Sequence, residues 1–322
     1  MENQANGLGK VNKKLTSVEK ATSTILKNIP VLSSHEEIVL NSLGKTLAKP
    51  VTALLSNPPS DVSSMDGYAL KNSDIDNGVL EFTVIDESVA GKSSSKTVAT
   101  MQTVRIFTGA KLPRGADRVI LQEDIKRLGN NLIKINKNKL ENNNFFIRKT
   151  GMDFKLGEKL IDKGEVLNTR NISLCVASGN SWVTIRRKPK IGIISTGNEL
   201  LKFGEIQNSK NNDKIISSNG IFLFNFINQL GGEAFILPTA KDDIKSLTNI
   251  LDEANDLDLI ISSGGASVGD YDIVQRALEK NNFELLFWRI AMRPGKPLFF
   301  GLLEKIPFLG LPGNPVSSGV CS

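Results

Sequence analysis

Of its 322 residues, the sequence devotes one to histidine, His35, and two to cysteine, Cys175 and Cys321. A single histidine excludes His-based triads and the paired-histidine helices of metalloproteases. The cysteines lie far apart without metal-ligand spacing, so neither a zinc site nor a disulfide framework is indicated, and a reducing, cytoplasmic setting is expected. Aromatics are scarce too: 15 Phe, 2 Tyr and 2 Trp. The net charge of +6 is therefore not read as a nucleic-acid surface. The lysines are scattered through Asn/Lys-rich loops such as 136–144 and 208–214, with no basic stripe interleaved with stacking rings. No apolar run approaches the roughly 20 residues that span a bilayer, and the polar N-terminus has no secretory stretch. Neither nucleic acid nor membrane is expected as a partner. Chemistry here must rest on carboxylates, lysines, arginines, backbone N–H groups or a metal.

What is present is ordinary for a globular protein, 40% apolar and 23% charged, and the length allows two or three domains. Residues 1–20 read as a disordered leader. Residues 21–50 read as helical, broken at Ile29-Pro30, with His35 on the surface at a helix start. From 53 to 145, short β-favouring runs at 81–85, 103–107, 118–122 and 132–135 alternate with Gly, Pro and Asn, which predicts a β-rich domain. Residues 21–52 and 146–187 flank it and are mixed in character, with a helix over 169–178. From 188 to 322 the pattern becomes strand, helix, strand: strands at 190–195, 234–237 and 257–262, helices at 219–230, 244–254 and 272–280, then a hairpin-like pair at 298–302 and 307–309. That alternation predicts an α/β fold, a parallel sheet covered by helices on both faces.

Ligands of such sheets sit at the carboxyl ends of the strands. There the sequence supplies Glu199 after the first strand, Asp242 after the second, and a Gly264-Gly265 turn with Ser267 and Asp272 after the third. Backbone N–H groups of such turns cradle oxyanions, and gathered carboxylates suit Mg²⁺ bridging to phosphates. Taken singly, Asp242 and Asp272 read equally well as helix caps, and a Gly-Gly turn as only a turn. Arg293 and Lys296 flank a proline-held turn, suited to a phosphorylated substrate or to a solvated surface. Leu311-Pro312-Gly313-Asn314-Pro315 forms a stiff loop before a helix. In the β-rich domain, Asp66-Gly67 is by default a turn.

Six motifs then occur in order: Ser64-Met65-Asp66-Gly67-Tyr68-Ala69, Arg105-Ile106-Phe107-Thr108-Gly109-Ala110, Ser195-Thr196-Gly197-Asn198-Glu199-Leu200, Ser262-Ser263-Gly264-Gly265-Ala266-Ser267-Val268-Gly269, Pro294-Gly295-Lys296-Pro297 and Gly310-Leu311-Pro312-Gly313-Asn314-Pro315-Val316-Ser317. Together they resemble the molybdopterin molybdenumtransferase (MoeA) family, which includes the gephyrin E domain, over residues 21–317. The resemblance implies that 188–322 is a molybdopterin-binding fold, that 21–52 and 146–187 form one elongated discontinuous domain, and that the protein is a homodimer. It implies a reaction of adenylylated molybdopterin with molybdate, assisted by Mg²⁺ and releasing AMP, and a molybdopterin adenylyltransferase as a possible partner. The implied catalytic residues are Asp66, Thr108, Glu199, Asp242 and Asp272, with Glu199, Asp242 and Asp272 as metal ligands. Arg148, Asn219, Gly264, Gly265, Ser267, Arg293, Lys296, Pro312 and Asn314 are the implied substrate contacts. Met152 departs from the acidic residue that commonly precedes Asp153. The family also continues beyond the Asn-Pro-Val-Ser motif with a helix and a small β domain, so a C-terminally truncated enzyme is expected. An inactive remnant, a non-catalytic scaffold and a molybdopterin adenylyltransferase are the alternative readings.

Overall fold

The computed structural model describes residues 15–140, 144–197, 199–201, 204, 214–240, 244–252, 254, 256–264, 278 and 282–322. The chain divides into two compact units, one of residues 35–185 and one that joins the N-terminal segment to residues 186–322. Residues 15–20, expected in the leader, belong to the fold: Thr16 bridges Ile290, and Ser17 caps α1 (Val18–Asn28) by accepting from Lys20 N–H. Residues 1–14 lie outside the described residues. The helix expected over 21–50 ends at Asn28, because the residue before Pro30 is pushed into extended backbone (Ile29, ψ 121°). The next element is β1 (Ser34–Ile38), so His35 is exposed as expected but lies on a strand rather than at a helix start.

In the 35–185 unit, β2 (Val51–Thr52) and β3 (Val62–Ser63) precede β4 (Gly67–Leu70), α2 (Asn72–Asp76), β5 (Glu81–Ser88), β6 (Gln102–Ile106), β7 (Arg118–Leu121), β8 (Ile125–Arg127) and β9 (Leu132–Ile135). These are followed by β10 (Ile147–Arg148), β11 (Lys159–Ile161), α3 (Thr169–Ala177) and β12 (Trp182–Arg186). The main sheet has the order β7-β4-β6-β5-β9-β8. One face buries Tyr68, Leu70, Phe82, Ile120, Ile133 and Ile135, and Ala69, Ile106, Ala110 and Val119 form a second cluster. Period-two burial in β9 gives the alternation that the sequence signalled. Asp66-Gly67, by default a turn, instead opens the central strand β4. A Cβ on Gly67 would overlap the Ile120 carbonyl, so only glycine lets β7 approach. A further core joins Val39, Leu47 and Val51 to Ile161, Leu167, Cys175, Val183 and Ile185.

The other unit contains β13 (Lys190–Ser195), β14 (Leu200–Leu201), β15 (Ile215–Ile216), α4 (Asn219–Gln229), β16 (Glu233–Ile236), α5 (Ile244–Asp252), β17 (Leu259–Ser263), β18 (Phe283–Trp288), β19 (Phe299–Leu303), β20 (Ile306–Leu311) and α6 (Pro315–Cys321). Its sheet has the order β16-β13-β17-β20-β19-β18. The first four strands are parallel, and β19 runs antiparallel to both its neighbours. Leu247, Leu251, Ile260 and Phe308 pack on one face; Leu223, Ile227, Ile261 and Leu311 pack on the other, with Ala21 and Ile25 of α1. This is the α/β fold that the alternation predicts, with an antiparallel edge added. Aromatic stacking of Trp288 on Phe299 (5.1 Å) and Phe299 on Phe308 (5.8 Å) holds that edge. Because β18 runs in the same direction as β20, its connection to β19 emerges at the carboxyl edge of the parallel strands. The helix expected over 272–280 lies outside the described residues except at Leu278.

Candidate functional site

In the β-rich unit, register makes the first group. Gly67 pairs with Ile106 across the antiparallel β4–β6 ladder, which sets Asp66 beside the residues that follow β6. Asp66 Oδ1 accepts from the Thr108 N–H and the Thr108 hydroxyl, both at 2.8 Å. These two donors, with the nearby Arg105 charge, hold the Asp66 carboxyl below its ordinary value. An ionised carboxylate in a fixed orientation results. Ser63 ties the same corner together, donating through its hydroxyl to the Met65 carbonyl at 2.6 Å and accepting from Gly109 N–H through its own carbonyl at 2.8 Å. Arg148 lies opposite Val62 on β10. Its guanidinium is already engaged, donating to both carboxylate oxygens of Asp153 at 2.6 Å. Exposed Met152 leaves that pair intact.

In the α/β unit, three strand ends are laced to one another. Thr196 N–H donates to the Ser263 carbonyl (3.2 Å), and Gly264 N–H to the Leu311 carbonyl (3.2 Å). Asn219, first residue of α4, gives both amide hydrogens away: one to Ser263 Oγ and one to the Gly313 carbonyl, each at 2.8 Å. Asn219 therefore joins the β17 turn to the loop before α6, and only its carbonyl oxygen remains for a ligand. Beside it, Ser217 donates to Ser195 Oγ at 3.1 Å. Gly264 is buried at φ +100°, and a Cβ there would crowd the Thr196 carbonyl. Pro312 is buried and has no N–H, so it supplies shape. Asn314 caps α6 by accepting from Ser317 N–H at 3.1 Å.

Arg293 and Lys296 emerge at this same edge. Their turn is pinned by Ile290 N–H on the Lys296 carbonyl (3.1 Å) and by buried Gly295 against Cys321. Both cationic side chains are exposed, and neither makes a hydrogen bond or ion pair with a described residue. Glu199 is exposed as well, its carboxylate lying over Gly197. Asp242, Asp272, Gly265 and Ser267 lie outside the described residues. Among the described residues no cluster of three or more His, Cys, Asp or Glu side chains could hold a metal. Both cysteines are free, and burial raises each thiol pKa.

Sequence comparisons fit this geometry. Residues 16–179 match the MoeA N-terminal region (domain I and II), and residues 192–322 match a probable molybdopterin binding domain. The chain is 33% identical to the molybdopterin molybdenumtransferase of Haemophilus influenzae over 306 residues, covering 94% of this chain and 74% of that one. The chain belongs to the molybdopterin molybdenumtransferase family. The Nostoc sp. enzyme of that name is 32% identical over 315 residues, 94% of this chain and 71% of its own. The crystal structure of the MoeA protein of Pyrococcus horikosii superposes with a TM-score of 0.82 at 32% identity, covering 95% of this chain and 76% of that one.

Membership of this family places the chain in molybdenum-cofactor biosynthesis, as a transferase that handles molybdopterin. Among the described residues, no helix is long and apolar enough to cross a membrane. For a molybdopterin enzyme, sequence reasoning gave no role to Arg105 and Gln122, which bond the backbone at Asp66 and Gly67, or to Ser263, which accepts from Asn219. A register between the two β-rich motifs would have pointed to Arg105; Ser263 stands within a motif, but nothing local shows that Asn219 reaches it.

Proposed function

We propose that the chain inserts molybdenum from molybdate into adenylylated molybdopterin and releases AMP. The observation that carries this reading is the pinned Arg293–Lys296 turn. It presents two exposed cations, unpaired among the described residues, at the edge where the ends of β13, β17 and β20 are tied together. Molybdate is a dianion, and bringing it to a phosphate-bearing pterin requires positive charge that is not already neutralised. The Gly264 turn and the start of α4 offer close backbone approach for the phosphate. We read Asp66, ionised and oriented by Thr108, as a further catalytic carboxylate.

We read Mg²⁺ as the assisting ion. Glu199 is an exposed hard-oxygen ligand whose carboxylate has no hydrogen-bonding partner among the described residues, and Asp242 and Asp272 would complete the set. When bound, the ion would supply charge neutralisation at the phosphates. We further read the chain as a cytoplasmic homodimer that receives its substrate from a molybdopterin adenylyltransferase.

The test is AMP release from adenylylated molybdopterin on addition of molybdate. Molybdate-dependent release is expected, lost on chelation and restored by Mg²⁺. Consumption of ATP without AMP release from the adenylylated pterin would instead make the chain an adenylyltransferase. Binding of the pterin without any turnover would make it a scaffold.

A further inference from the structure

We propose that Arg105 is a positioning residue that sets Asp66 for the reaction, an inference that rests on the reading of Asp66 as part of the reacting site. The Asp66–Gly67 peptide is held at both carbonyls. Gln122 N–H donates to the Asp66 carbonyl at 3.2 Å, and Arg105 Nη1 donates to the Gly67 carbonyl at 3.0 Å. The two clamps are joined, because Arg105 Nη2 also donates to Gln122 Oε1 at 2.5 Å.

The same guanidinium is stacked. Its central carbon lies 5.0 Å from the Tyr68 ring centre and 4.6 Å from that of Phe107. Tyr68 is only 2% exposed, so one platform is fixed by the core. Phe107 immediately precedes Thr108, which grips the Asp66 carboxylate. One planar cation thus fixes both partners: the Asp66 main chain through Gly67 and Gln122, and the Thr108 side through Phe107. A guanidinium performs this because its donors form a rigid fork and its face stacks. An ammonium has the charge but neither the fork nor the face. The Arg105 charge also adds to the Thr108 donors in keeping Asp66 ionised.

The experiment compares AMP release and Thr108 amide exchange in the full chain, wild type against R105A, R105K and D66N, with each fold checked by circular dichroism. A misplacement of about 1 Å costs about 10²-fold, so R105A is expected to lose about that much kcat with KM within about twofold. R105K should recover little of it, D66N should be at least as impaired, and the Thr108 amide should exchange faster in both Arg105 variants. Wild-type kcat in R105K alongside a crippled D66N would overturn the positioning role and leave the function reading standing. Unchanged Thr108 exchange in R105A would also overturn it. Wild-type turnover in D66N would overturn the reading of Asp66 itself. Should R105A fail to fold, Q122A removes the link between the two clamps and should show the same kcat loss in weaker form; unaltered kcat and exchange there would count against the proposal.

Discussion

Asp66 and Asp258 show how one residue type is tuned by its donors. Removing the Thr108 hydroxyl and disturbing its N–H by T108A should move the Asp66 pKa up toward its ordinary value of 3.8. Carboxyl NMR titration would measure this, and an unmoved midpoint would refute the assignment of its donors. Asp258 is partly buried, which by itself raises its pKa, but the Arg187 guanidinium and Lys190 N–H (2.8 Å) outweigh that and hold the carboxyl low. Its folded pKa lies below the unfolded one. Its contribution to stability is therefore complete above about pH 4 and is lost as pH falls through the folded value. D258A should cost about 1.5–3 kcal/mol at pH 7, the range for hydrogen bonds to charged groups, and the deficit should shrink in acid. Urea titrations at both pH values would settle the sign. At this scale the sequence is a partial guide. Asn219 is one of the contacts that the resemblance implies, but its acceptors lie 44 and 94 residues away, a distance no local pattern encodes.

Single elements were legible where the apolar pattern is strong. KIGIIS, a largely buried strand, became β13 over the residues expected, and 169–178 became α3, which buries Cys175. They were not legible where tertiary pairing overrides local preference: Ser34–Ile38 is a strand because it pairs with β12, and Phe283–Trp288 is an added edge because β19 accepts it. The opening of β4 at Gly67 was hidden for a related reason, since Asp-Gly is a turn dipeptide until β6 and β7 flank it. That placement predicts that G67A destabilises the β-rich unit by about 1–3 kcal/mol through overpacking. Chemical denaturation followed by Tyr68 fluorescence or amide exchange in β4 would check it, and a neutral effect would mean β7 can retreat. In the α/β unit, N219A severs the tie between the β17 turn and the loop before α6. It should cost about 1–3 kcal/mol for two lost bonds and weaken pterin binding, and N219D, which keeps the side chain's size but not its donors, should weaken it at least as much. Wild-type affinity in both variants would argue that the tie is irrelevant to binding.

At the scale of the molecule, among the described residues no core cluster draws on both units. Unfolding should therefore depart from two-state behaviour, with a calorimetric enthalpy above the van't Hoff value. D258A should shift one calorimetric component and G67A the other; a single component displaced equally by both would contradict the separation of cores. The way α1 is shared with the later half of the chain has a further consequence, for synthesis. Thr16 emerges from the ribosome long before its strand partner Ile290. At about 5–20 residues per second that interval is about 15–55 s. Until residues beyond 190 emerge, Ala21 and Ile25 have no core to enter, while residues 35–185 are complete and free to close. A nascent chain stalled within the last strands would thus hold a finished β-rich unit behind an unpaired N-terminal helix, which makes that helix the natural point of attack for chaperones or proteases.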